Sequence, residues 1–351
     1  MKKRELQIGD QLVKVPILQG GMGVGVSLSS LAGAVSACGG VGVISSAQIG
    51  FQEPDFETNT LEANLRALKI EIQKARQIAR GGMLGVNIMV ATKEYASYVK
   101  TAVEAGIDLI ISGAGLPVDL PALTEKSKTK IAPIVSTVKS ASVILRLWER
   151  KYHRLPDLVV VEGPEAGGHL GFTEEQLEAF TKERYREEVR LLIRLVKEHG
   201  NTHGKDIPVA LAGGIYEKKD VEEAWKLGAD AVQLGTRFVT TYECDAADAY
   251  KETYLHARKE DIELVKSPVG MPGRAIHNAF LEETANHPGI HQKCLHCLEH
   301  CNPKTAPYCI TRALIAAVKG NVKEGLLFCG SNAWRAEKIE HVSEIMQELM
   351  E

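Results

Sequence analysis

At 351 residues, and roughly 150 residues per domain, the chain is long enough for two ordinary domains or for one large α/β barrel with an addition. Its 44% apolar and 25% charged residues are globular averages, which excludes a disordered, collagen-like or coiled-coil chain. Lys plus Arg number 42 against 45 Asp plus Glu, a formal charge of −3, so the basic excess of a nucleic-acid or anionic-membrane binder is missing. No apolar run approaches the roughly 18 residues of a membrane span. The basic start, MKKRE, lacks the apolar core of a signal peptide. Seven cysteines, an odd number crowded toward the C-terminus, do not make a secreted disulfide framework. A soluble, reduced, cytoplasmic protein is the expectation.

Taken in chain order, eight short β-branched runs end in Gly, Ser or Asn, and helical stretches separate them. Residues 13–20 (VKVPILQG) come first. A helix follows with an apolar stripe at Leu28, Leu31, Ala32 and Val35, Ser27 placed to cap it and Gly39-Gly40 to stop it. Residues 41–46 (VGVISS) precede an amphipathic stretch over 61–79. Runs at 84–90 (LGVNIMV), 108–113 (DLIISG) and 131–136 (IAPIVS) follow, with helices predicted over 95–105 and 141–151. The run at 157–163 (DLVVVEG) leads into a long helical link, 172–206. The runs at 209–214 (VALAGG) and 231–236 (AVQLGT), with a helix over 221–227 between them, complete the series. Each run is apolar throughout rather than alternating, as a parallel strand covered on both faces requires.

Eight such alternations without a break in composition predict a (β/α)₈ TIM barrel rather than a doubly wound sheet. The barrel is assigned to residues 1–241. Residues 242–351 are too long for one helix and are expected to form a C-terminal helical cap packed on the barrel, carrying most of the cysteines.

Barrel enzymes keep their chemistry at the C-terminal ends of the strands. Those ends are polar or small here: Gln19-Gly20-Gly21-Met22, Ser45-Ser46, Asn87, Ser112-Gly113, Ser136, Glu162, Gly213-Gly214 and Gln233-Leu234-Gly235-Thr236. Glycine and serine also make ordinary βα turns, but the set together leaves a bowl for a large flat ligand. The last two loops predict a phosphate site, since glycines let backbone N–H groups approach an anion and Thr236 adds a hydroxyl. Gly21-Met22-Gly23-Val24-Gly25 invites a dinucleotide-fold reading. That fold wants an acidic residue ending the second strand, and Ser45-Ser46-Ala47-Gln48 stands there instead.

After the sixth run comes EGPEAGGHLG, residues 162–171. His169, flanked by glycines, reads as an exposed imidazole suited to act as a general base. Glu165 is placed to orient its ring and Glu162 to reach a ligand.

PILQGGMG, GVNIMV, EGPEAGGHLG, LAGGI and GADAVQLGTRF, in this order and spacing, resemble the nitronate monooxygenase (2-nitropropane dioxygenase) family. Its flavin-dependent relatives include the enoyl-ACP reductase II of fatty-acid synthesis. The similarity runs over residues 5–285. It implies an FMN-binding TIM barrel and oxidation of alkyl nitronates by O₂ to a carbonyl and nitrite. It further implies that Gly20, Gly21, Met22, Asn87, Glu162 and Gly167 contact FMN, and that Gly214, Gln233, Leu234, Gly235 and Thr236 hold its phosphate. By the same resemblance His169 is the catalytic histidine, and residues 267–278 are a lid in which Arg274 could meet an anionic substrate. Glu162 departs from the pattern: nitronate monooxygenases commonly carry Gln there, whereas the family's enoyl reductases carry Glu. An NAD(P)H-dependent enoyl-thioester reductase is therefore the alternative activity, and a non-catalytic flavin-binding module the alternative of another class. A small-molecule substrate is expected, no nucleic acid or membrane partner, and a homodimer is left open.

Outside the similarity lies Cys294-x₂-Cys297-x₃-Cys301-x₇-Cys309, interleaved with His291, His296 and His300. The spacing matches neither common zinc fingers nor ferredoxins, so free thiols in the cap are expected, with a metal or iron–sulfur site as the alternative. Cys38, Cys244 and Cys329 carry no signal.

Overall fold

The computed structural model describes residues 5–289, 294–299 and 301–351. Eight parallel strands stand where the eight apolar runs were read: β1 (Ile17–Gln19), β2 (Gly42–Ser45), β3 (Leu84–Met89), β4 (Leu109–Gly113), β5 (Lys130–Val135), β6 (Val159–Glu162), β7 (Val209–Ala212) and β8 (Ala231–Leu234). Each pairs in parallel with its sequence neighbour from β2 to β8, and β8 pairs with β1. A parallel bridge between Leu18 and Val41 closes the ring, with Gln19 N–H donating to the Val41 carbonyl and Val41 N–H to that of Ile17, both at 2.9 Å. This is a (β/α)₈ barrel.

The strand period of two sorts each run onto two surfaces. Val43, Leu109, Ile111, Val160, Ala210 and Ala231 fill the interior. Ile44, Val86, Ile110, Val159, Val161, Val209, Leu211 and Val232 face outward against the helices. An antiparallel hairpin, Leu6–Ile8 with Gln11–Val13, puts Leu6, Ile8 and Val13 into the interior cluster. Counting upward by two from Val160 and Ala231 reaches Glu162 and Gln233. The same parity carries from Gly85 to Asn87. These three polar residues, with Ser45 two positions beyond Val43, stand at the cavity end of the interior.

The first barrel helix, Ser29–Ala37, does not take Ser27 as its cap. The Ser27 hydroxyl instead accepts the Met22 N–H at 2.8 Å. The Asp245 carboxylate accepts the N–H groups of Leu28, Ser30 and Leu31 at 2.7–3.2 Å. A charged acceptor from far along the chain satisfies the helix start better than the adjacent hydroxyl.

The eighth barrel strand is followed only by a short turn of helix, Thr236–Val239. The long helix expected there is the last one of the chain, Val342–Met350, which packs against Ser29–Ala37 and Lys218–Leu227. The chain thus returns to the barrel across the boundary drawn at residue 241. Arg237 ties this return with 2.6 Å and 2.7 Å bonds to Glu340 and Glu348.

Between these points lies the cap. It holds the helices Asp248–His256, Ala279–Asn286 and Ile310–Val318, and in addition a three-stranded antiparallel sheet. Strand Ile262–Lys266 pairs with Pro272–Ile276, and that strand pairs with Gly168–His169 from the barrel. The sheet was not read from the sequence because its third member is a two-residue piece of a barrel loop. Among the described residues no helix is long and apolar enough to cross a membrane.

Candidate active site

The twelve residues singled out from the sequence meet in one cavity at the C-terminal end of the barrel. Gly20, Gly21 and Met22 line it from the β1 loop, Asn87 from β3, and Glu162, Gly167 and His169 from the end of β6 and its loop. Gly214, Gln233, Leu234, Gly235 and Thr236 line it from the last two strands. The glycines are required for the fit. A Cβ on Gly21 would stand 2.4 Å from the Asn87 Cβ, and one on Gly167 would stand 2.5 Å from the Cys329 carbonyl carbon. Gly213 and Gly214 have φ of +95° and +74°, the left-handed region that glycine enters freely. That backbone turns the β7 loop away from the strand and over the cavity.

His169 is not the exposed loop residue that its glycines suggested. Pairing of Gly168–His169 with Arg274 and Gly273 of the cap fixes the backbone. The ring packs edge-to-face on Phe328, with centroids 5.0 Å apart, and Nε2 shares a 2.7 Å hydrogen bond with the Ser267 hydroxyl. Ser267, not Glu165, orients the imidazole. Glu165 lies against Gly214, while its carbonyl accepts the Ser331 N–H at 3.1 Å. The His169 side chain lines the cavity and is half-buried, and this burial pushes its pKa down to about 4. At neutral pH the ring is uncharged and can accept a proton. Burial has the opposite effect on Glu162, raising it to about 8, so at neutral pH the carboxyl is mostly protonated.

Arg274 does not line this cavity. It sits behind the β6 loop, donating to the Ala166 carbonyl at 2.5 Å and bordering a neighbouring cavity. Its role here is to hold the loop that carries His169.

The sequence missed the cap's own contribution. Cys329, Gly330, Ser331 and Asn332 line the cavity, as do Phe328 and Tyr254. Gly330 N–H donates to the Thr236 hydroxyl and Asn332 Nδ2 to the Gly214 carbonyl, both at 2.8 Å. Segment 329–332 therefore completes the glycine loops of β7 and β8. The nearest local signal was Gly330-Ser331, which repeats the Gly-plus-hydroxyl chemistry of Gly235-Thr236. Two buried side-chain atoms at this end, Gln233 Oε1 and Ser331 Oγ, have no hydrogen-bond partner. Unmet buried polar atoms cost stability, so their position on a cavity wall marks where a ligand would bond.

Strand ends, a glycine cradle and a half-buried neutral imidazole under a cap make an enzyme's site, and three comparisons with known proteins make it one of the oxidoreductase type. The family model for nitronate monooxygenase matches residues 4–351, and the chain belongs to that family. A probable nitronate monooxygenase of Staphylococcus aureus strain MSSA476 is 27% identical over 308 residues, covering 79% of each chain. Among solved structures, FabK from Thermotoga maritima is 28% identical with a TM-score of 0.72, over 96% of this chain and 92% of that one. The nitroalkane oxidase of Streptomyces ansochromogenes shares the fold at 22% identity and a TM-score of 0.71, over 95% and 94% of the two chains.

Proposed function

We propose that the cavity binds FMN and that the enzyme oxidises alkyl nitronates, with O₂ as electron acceptor, to a carbonyl compound and nitrite. The residues present fit the group. Gly213, Gly214, Gly235 and Thr236, joined by the Ser331 hydroxyl, would hold the phosphate through backbone N–H groups and hydroxyls. Gln233 Oε1, buried and unpartnered, would accept an N–H of the ring system. Asn87 and the loop Gly20-Gly21-Met22 would flank the flat part, since a Cβ at Gly21 would fall on Asn87. The single observation that carries the reading is this convergence of strand-end donors, with an unmet acceptor, beneath one neutral histidine.

FMN bound there would supply the electron-transfer and O₂ chemistry. The protein's own residues prepare the substrate. His169, uncharged at neutral pH, takes the acidic carbon-bound proton of a nitroalkane at its free ring nitrogen, while Ser267 holds the other nitrogen. Phe328 packs against that ring, and the cap strand Pro272–Ile276 fixes its backbone.

Glu162 favours a second reading. Glu at this position, where nitronate monooxygenases commonly carry Gln, resembles the family's enoyl reductases, for which the activity is NAD(P)H-dependent reduction of an enoyl thioester. Anaerobic reduction separates the two. Bleaching of the flavin by a nitronate and not by NAD(P)H supports the monooxygenase, and the reverse supports the reductase. Absence of a stoichiometric flavin, or release of FAD instead of FMN on denaturation, overturns the cofactor assignment.

A further inference from the structure

The four cysteines of the 294–309 segment belong to no part of the flavin cavity, yet all four line one separate cavity of about 210 Å³, with Lys93 on its wall. The segment is docked, not trailing. Lys93 N–H donates to the Cys297 carbonyl at 3.1 Å, Glu299 N–H donates to the Ala91 carbonyl at 3.0 Å, and Thr92 bridges Leu298. Residues 91–93 lie just beyond β3, so residues 297–299 of the segment, Cys297 among them, are fixed against the barrel rim. The fourth, Cys309, is the N-terminal boundary residue of helix Ile310–Val318. All four thiols are free, and Cys297 Sγ accepts a 3.0 Å bond from the Thr311 hydroxyl.

We propose that this cavity is a four-thiolate iron–sulfur cluster site. A single zinc ion needs its sulfur ligands at about 2.3 Å from one point. Among the described residues no three His, Cys, Asp or Glu side chains are placed to hold one ion. A cluster instead spreads its four cysteines around a core of iron and sulfide, and the thiols here bound an enclosed space of that kind. The wall carries one basic and one acidic residue, Lys93 and Glu299, and Arg312 one turn into the adjoining helix is paired with Glu57. The departure from ferredoxin spacing follows from the fourth ligand standing at a helix start instead of in the same loop. His296 falls within the segment, and His291 and His300 lie outside the described residues. None of them is needed for four ligands. The site uses no residue of the flavin cavity, so it stands or falls independently of that reading.

The test is iron and acid-labile sulfide analysis of the full-length protein, purified anaerobically and reconstituted with ferrous iron and sulfide under reducing conditions. About four of each per chain are expected, with a cluster signal in the electron paramagnetic resonance spectrum after dithionite reduction. Cys297→Ser and Cys309→Ser should each drop both elements to background, while Cys38→Ser keeps them. Circular dichroism checks that the variants fold. If they do not, the wild-type iron and sulfide content decides alone. About one zinc per chain without sulfide overturns the proposal. So do four alkylatable thiols with no metal after reconstitution, or two disulfides by mass.

Discussion

Asn87, Glu162 and Gln233 reach the cavity from the ends of strands, whereas Phe328, Cys329 and Gly330 reach it from a segment with no strand in the barrel, and Ser267 of that segment bonds the His169 ring. The first group obeys a local rule, since the period of two that sends Val160 and Ala231 inward also sends Glu162 and Gln233 inward. The second group obeys none. Its members are placed by long-range bonds such as Gly330 to Thr236 and by the pairing of Gly273 with His169. The barrel thus supplies a general binding bowl, and the cap decides the state of the one base inside it.

The largest effect expected is on the residue where the two groups meet. If His169 is the base, His169→Ala slows oxidation of a neutral nitroalkane by roughly 10²–10⁴-fold, and oxidation of the preformed nitronate far less. Stopped-flow measurement of flavin reduction by both substrates checks this. Equal losses would give the histidine a structural role and break the comparison.

Next in size is the tie between barrel and returning chain. Arg237→Ala leaves Glu340, 7% exposed, as a buried carboxylate without its guanidinium. Breaking one partner of an otherwise uncompensated buried pair costs about 3–5 kcal/mol; Lys338 stays 3.1 Å from Glu340, so a loss of about 1.5–3 kcal/mol is expected from denaturant unfolding against wild type. A loss below about 1 kcal/mol would show that Glu340 finds water and that this end of the cap is loosely held.

Glu162 sharpens the contrast through pH. Its folded-state pKa, raised to about 8 from an ordinary value of 4.5, means that the folded protein holds this proton more tightly than the unfolded chain. This group's contribution to stability therefore falls as pH rises from about 4.5 to about 8, then levels. Glu162→Gln removes that dependence. Its melting temperature relative to wild type should climb through the same window, and a difference that stays flat with pH would disprove the shift.

Ser267→Ala is the mildest change. Loss of one neutral hydrogen bond, about 0.5–1.5 kcal/mol, should lower kcat on the nitroalkane about two- to tenfold and leave bound flavin unchanged. Because the hydroxyl acts on the ring, the acid limb of the pH–rate profile should also move. An unchanged profile would remove Ser267 from the positioning of His169.

The sequence carried the barrel in full because each strand states its own burial through a short β-branched run, and each rim residue lies at the end of such a run. It did not carry the cap sheet, whose strands 262–266 and 272–276 are completed by Gly168–His169 from a distant loop. His169 was found, but its surroundings were misread. Flanking glycines suggested exposure, and only the tertiary pairing shows that they instead permit close approach of a cap strand. Ser27 failed as a helix cap for the same reason, since Asp245 arrives from far along the chain. Glu165 was given its partner by sequence proximity and Arg274 by the family resemblance, and the fold gave them others.

The position of helix Val342–Met350 has a consequence for how the molecule is made. Strand β8 ends at Leu234, but the groove beside it, between the first and seventh helices, stays unfilled until the chain has been extended through the whole cap. During synthesis a ribosome would therefore hold a barrel with one apolar stripe open to solvent, and Ile345, Met346 and Leu349 would seal it last. The cap is built before the barrel can finish. A nascent chain stalled within the cap should accordingly be recognised by chaperones, whereas one released after residue 350 should not.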